Sequence, residues 1–224
     1  MSFDERRSQL VEAFWAALRD RSFAELSLEM LAGEAGRDGQ EHLASPADMA
    51  SPADMASPAN MASPADMAGL ADMTDLACVA VAMVDDQALA EIADDFNDAG
   101  DASVQEKLVE GLIHRFESFA PLKPQMQALH SACMRNPVLG MALGHQLLRA
   151  IDRLLRLCGD DSSGIKRMLR VKGVCAVVMR VRPTWMADET ADLSQTLKQI
   201  DSELEKAREW AVSLKILEQD EGQS

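Results

Sequence analysis

The chain has 224 residues, of which 47% are apolar but only 4% aromatic, with 14 Met and no Tyr. That balance favours helices packed through Ala, Leu and Met and disfavours a β-sandwich, which draws on Val, Tyr and Thr. With 22 basic against 37 acidic residues the formal charge is −15, which opposes contact with a polyanion such as DNA.

The charge is not spread evenly. Residues 1–37 carry five basic and seven acidic groups, residues 38–106 carry 15 acidic groups and no Lys or Arg, and residues 107–224 carry 17 basic and 15 acidic. The flanks are nearly neutral, and one acidic stretch of the chain repels phosphate. The N-terminal MSFDERRSQL is charged, so no secretory signal is expected there. The apolar run Val174 to Met179 is far shorter than the roughly 20 residues of a membrane span. Cys78, Cys133, Cys158 and Cys175 show no C-x-x-C spacing and read as reduced, buried thiols of a cytoplasmic protein.

In chain order, Leu10, Val11, Phe14, Trp15 and Leu18 make one apolar face of a helix from about Asp4 to Asp20. After a break at Arg21 to Leu26, Ser27 is placed to cap a second helix that runs through Ala35 and ends at Gly36. Two short helices in this order predict a helix-turn-helix, whose third helix falls where a repeat begins. SPADMA or SPANMA occupies residues 45–50, 51–56, 57–62 and 63–68, with Pro46, Pro52, Pro58 and Pro64 in register. A proline every six residues opposes a continuous helix, and the tract, 45–72 with its decaying end, reads as a turned or flexible loop.

The rest of the chain continues the all-α pattern. Met73 to Phe96 is one helix, and Ser103 with Glu106 forms a capping box for a helix to Phe119. A helix of about ten residues ends at Arg135, and Pro137 opens one to Cys158 that is apolar nearly all round. Gly164 to Met186 carries six cations, Lys166, Arg167, Arg170, Lys172, Arg180 and Arg182, with no Asp or Glu between Asp161 and Asp188. Pro183 is expected to kink or shorten its last turn. The final helix is expected from about Asp188 to Leu217. Its Leu193, Leu197, Ile200, Leu204, Ala207, Ala211 and Leu214 alternate steps of four and three, the heptad pattern of a helix that meets a partner helix or covers its own core. A two-fold homodimer through the last two helices is the expectation. The domains are expected at 1–44, 73–218 and, as a disordered tail, 219–224.

Catalysis has no foothold in these residues. There is no Gly-rich phosphate loop and no G-x-S-x-G elbow. His114, His130 and His145 lack a second His at helical spacing, so neither a metal nor another cofactor is expected and the chain is not expected to be an enzyme. A flexible apolar pocket is the more natural site. Phe116, Met126, Leu129, His130, Met141, His145, Leu148 and Met179 are its candidate lining, Met adapting to irregular ligands, although the same residues serve equally as core.

Leu10 to Gly36, with Ala13, Phe23, Leu26-Ser27-Leu28, Met30-Leu31-Ala32 and Ala35-Gly36, resembles the first two helices of TetR-family transcriptional regulators. That resemblance implies an N-terminal helix-turn-helix and a larger helical domain that binds ligand and dimerises. It also implies a recognition helix after Gly36, with Ser27, Arg37, Gln40 and His42 as candidate DNA contacts. The chain departs from the pattern there: Arg37 to Ala44 lacks the anchoring aromatic, and Ser45-Pro46 begins the repeat before such a helix is complete.

From about residue 103 to 210, the motifs Asn136-Pro137, Ile151-Asp152, Cys158-Gly159-Asp160 with Ser162-Ser163, Lys166-Arg167, Trp185 with Asp188, and Leu197 to Ile200-Asp201 are similar to the helical lipid-binding accessory proteins of ubiquinone biosynthesis. Those share the TetR fold, bind isoprenoid lipid and do not regulate transcription. Two functions follow as expectations: a dimeric TetR-like regulator that senses an apolar small molecule, its DNA-binding head impaired, or a lipid-binding accessory protein without DNA affinity.

Overall fold

A computed structural model describes residues 3–41, 70–98 and 102–213. These residues are all-helical, with eight α-helices and no strand among them. The helices are α1 (Phe3–Asp20), α2 (Leu28–Glu41), α3 (Met73–Asp98), α4 (Val104–Phe119), α5 (Lys123–Arg135), α6 (Pro137–Leu157), α7 (Gly164–Ala187) and α8 (Ser194–Ser213), with 3-10 turns at Phe23–Glu25 and Ala120–Leu122. Among the described residues no helix is long and apolar enough to cross a membrane. The SPADMA units and the expected tail at 219–224 lie outside the described residues.

The chain divides into two compact units, one drawn from residues 1–81 and 124–143 and the other from 82–123 and 144–224. In the first unit Leu10, Val11, Phe14, Trp15 and Leu18 form the buried face of α1 that their spacing predicts, and Phe14 meets Phe23 edge-on at 6.4 Å between centroids. The Gln125 side chain, buried on α5, donates to the Trp15 carbonyl at 3.2 Å. That bond between residues 110 positions apart joins α5 to the N-terminal helices, and no local pattern announces it.

Ser27 caps α2 as expected, its hydroxyl accepting from the Met30 N–H at 3.2 Å. The helix does not end at Gly36 but continues to Glu41. Glycine stops a helix when it turns left-handed; kept right-handed it costs only about 1 kcal/mol and the helix continues.

In the second unit α7 packs along α8, and α8 also meets α4. The inner face of α7 consists of Val171, Val174, Val177, Val178, Val181 and Trp185, all buried. Trp185 donates its indole N–H to the Phe116 carbonyl at 3.1 Å. Helix α6 ends one residue short of Cys158, where Gly159 takes φ +85° and the Asp160 N–H reaches back to the Leu155 carbonyl at 3.0 Å, a left-handed cap that suits glycine. Where α4 faces α6, a Cβ at Gly111 would stand 2.4 Å from Cδ1 of Leu154, so the Leu154 side chain fills the space that glycine leaves.

Pro183 does not break α7, which continues to Ala187, and α8 begins at Ser194 rather than near Asp188. Asp188 instead ties the intervening loop. Buried at 1% exposure, its carboxylate accepts from Thr190 N–H at 3.1 Å and hydroxyl at 2.5 Å, and from Thr196 N–H at 2.8 Å and hydroxyl at 2.7 Å. Burial pushes this carboxyl up, but the hydrogen bonds from Thr190 and Thr196 outweigh it and hold the group well below the usual carboxylate range. A lowered folded-state pKa stabilises fully above the unfolded value of about 3.9 and loses that contribution as pH falls below it. Asp188→Asn is expected to cost about 2–3 kcal/mol at pH 7, and the gap to the native chain should narrow at pH 3, as measured by urea unfolding at the two pH values.

Candidate functional site

The turn from α6 into α7 is built around one guanidinium. Arg167, 8% exposed, donates to Asp152 Oδ1 at 2.7 Å, to the Asp152 carbonyl at 2.5 Å and to the Asp160 carbonyl at 3.0 Å. Arg170 meets Asp160 Oδ1 at 2.8 Å, and Arg156 meets Asp152 Oδ2 at 3.0 Å. The hydrogen bond from Arg167, foremost, holds the Asp152 carboxyl below its ordinary value. Of the cations that mark this helix in the sequence, Arg167 and Arg170 are thus spent inside the fold. Lys166 and Lys172 are exposed, and the exposed Arg180 reaches Glu203 at 3.3 Å.

With the valines turned inward, α7 presents a second apolar face to solvent. Ile165 is 73% exposed, Met168 46%, Leu169 38% and Met179 52%. Their spacing of three, one and ten residues keeps them on one side over about 21 Å of helix at 1.5 Å per residue. Lys166, Lys172 and Arg180 flank this stripe, and no acid stands between Asp161 and Asp188. Exposed apolar side chains beside cations are the kind of surface that contact sites use.

Two open grooves and one closed void accompany it. The groove between α4 and α8, about 600 Å³, has Val109, Ile113 and Leu197 among its lining and the acids Glu106, Glu110 and Asp201 beside them. A second, about 520 Å³, lies between α3 and α6. The void, about 10 Å³ and enough for one water, is lined by Asp85, Arg115, Ile92 and Leu154 among others. There Arg115 donates to Asp85 Oδ1 at 2.7 Å while Asp85 Oδ2 has no partner. Burial pushes the Asp85 carboxyl up, and the Arg115 charge offsets only part of that rise.

The sequence-predicted ligand residues divide between the two units, Met126, Leu129, His130 and Met141 in the first and Phe116, His145, Leu148 and Met179 in the second. Phe116 is buried against Trp185 at 5.4 Å between centroids, and Leu129 is buried in the other unit. Met126 and His130 are half-buried, while Met141, at 70% exposure, His145 and Met179 face outward. Only Leu148 lines a groove, that between α3 and α6. The first half of α6, apolar nearly all round in sequence, leaves Val138 and Met141 exposed.

Among the predicted DNA contacts, Ser27 is engaged in capping α2. Arg37 and Gln40 lie on the last turns of α2 rather than on a separate helix, and His42 lies outside the described residues. Of the predicted interface, Leu193, Ile200 and Leu204 are buried in the chain's own core, because α8 turns that side toward α7 and α4. Leu197 is exposed in the α4/α8 groove, and Ala207 is half-buried. Ala211 lies on α8, and Leu214 lies beyond the described residues.

None of the four cysteines forms a disulfide, but only Cys158 is buried and the rest are half-buried. Burial pushes the Cys158 thiol up to about 12 and that of Cys175 up to about 11, so neither is a ready nucleophile. Among the described residues no group of three His, Cys, Asp or Glu side chains is placed to hold a metal. Adjacent acids such as Asp85-Asp86 and Asp160-Asp161 read in the sequence as solvated surface, yet Asp85 and Asp160 are buried against Arg115 and Arg167; the groove residues Gln146 and Arg149 escaped the sequence reading. Their one signal is a polar residue set within the apolar runs VAMVDDQALA and LGHQLLRA.

Comparison with known proteins returned no match to a protein-family model, to a curated protein or to a solved structure.

Arg115→Leu would leave a buried carboxylate without its counter-charge, at an expected cost of about 3–5 kcal/mol at pH 7. A carboxyl whose folded-state pKa is raised favours the fold in its protonated form, below that pKa, so the deficit should shrink at pH 5. Removing both partners in Asp85→Leu/Arg115→Leu should recover most of the loss in denaturant unfolding.

Proposed function

We propose that this protein is a non-catalytic lipid-binding accessory protein, which rests on an anionic lipid surface through the outer face of α7. The observation that carries the reading is the uncovered stripe of Ile165, Met168, Leu169 and Met179 beside Lys166 and Lys172, on a helix that has already buried its other face. Apolar side chains gain about 25 cal/mol for each Å² removed from water, and each Lys near an anionic surface adds about 1 kcal/mol. The C-terminal resemblance to lipid-binding accessory proteins supports the same reading. The acidic composition and the unbroken run of α2 through Gly36 weigh against a DNA-reading head.

A second reading, a dimeric TetR-like regulator sensing an apolar small molecule, draws on the α1–α2 pair with its capped entry at Ser27. It would put the α7 stripe against a second copy instead of lipid. Co-sedimentation with phosphatidylglycerol vesicles separates the two. The lipid reading expects binding that is lost with phosphatidylcholine alone and weakened about tenfold, or about 1.4 kcal/mol, by Met168→Asp or Met179→Asp. No vesicle binding, together with a dimer in sedimentation velocity and a shift of duplex DNA at low salt, would favour the regulator.

A further inference from the structure

We propose that the groove between α3 and α6 is a binding site for a small monocarboxylate that carries an apolar body. Two groups on α6 line this groove and stand three residues apart, Gln146 and Arg149, which places them as neighbours on one helix face. Gln146 is only 8% exposed, yet among the described residues no hydrogen bond reaches its amide. Arg149 is exposed and makes no ion pair among the described residues. An unpartnered amide and a free guanidinium that share a groove form a ready set of donors: the guanidinium fork takes a carboxylate through two parallel bonds, and the amide NH₂ adds a third donor.

The charges around them limit the ligand to one negative charge. Arg153 pairs with Asp86 across the groove. Both oxygens of Asp152 are occupied, by Arg167 and Arg156. What remains uncompensated in the lining is the single charge of Arg149. A dianion such as a phosphate monoester would carry one negative charge more than Arg149 answers. Ala82 and Leu148 supply apolar wall for the rest of the molecule, and about 520 Å³ lies within the range of small-molecule sites. The site is formed by α3 and α6, so it does not rest on the lipid reading of α7.

Titration calorimetry of the full chain with sodium octanoate and sodium benzoate tests the site, with octanol and octyl phosphate as further arms. Saturable one-to-one binding of at least one carboxylate is expected, weakened fivefold or more in Arg149→Met and in Gln146→Leu and partly restored in Arg149→Lys. Each variant's melting curve is measured alongside, and vesicle binding by Arg149→Met should match the native chain. No heat from either carboxylate at millimolar concentration would overturn the proposal. Undiminished binding in Arg149→Met or equal binding of octanol would do the same, and tighter binding of octyl phosphate would overturn the monocarboxylate assignment.

Discussion

The second unit is organised around the Arg167 guanidinium. Two carboxylates and two backbone carbonyls converge on it where α6 gives way to α7. A charge this deeply placed is tolerable only when its donors are answered, and losing any of its partners leaves an uncompensated ion. The cluster sets the rotation of α7 about its own axis. With Arg167 turned inward, helical periodicity carries Val171, Val174, Val178, Val181 and Trp185 to the same side, and Ile165, Met168, Leu169 and Met179 to the opposite one.

The exposed apolar stripe follows from that rotation. A helix with one apolar face is satisfied once it is packed, whereas α7 has two and packs only one. The basic residues that remain exposed sit beside the unpacked face, although the chain as a whole is strongly acidic. Acids line the α4/α8 groove and cations stand along α7, although the two meet where Arg180 reaches Glu203. The α3/α6 groove is a third environment, nearly balanced in charge.

Much of the helical map was legible from local signals. The Ser103–Glu106 capping box, the Ser27 cap, Pro137 at the first position of α6 and the apolar spacing of α1 all act within one or two turns. What the sequence concealed depends on distant partners. The heptad of α8 marks an apolar side correctly, but spacing cannot tell a neighbour in the same chain from one in another, and here Ile200 and Leu204 meet their own core. The start of α8 was misplaced because Asp188 resembles a helix cap in sequence, while in space it accepts from residues two and eight positions later. Pocket residues were the least legible: Met and Leu at helical spacing look alike in core, groove and surface.

The crossing of α4 over α6 has an evolutionary consequence. With Leu154 fully buried and its Cδ1 in the space a side chain at position 111 would need, an alanine at 111 requires the Leu154 side chain to shift or to become smaller. Shortening Leu154 first opens a cavity at a cost of about 2–5 kcal/mol. Either change alone strains the crossing, so bulk at one position is coupled to bulk at the other.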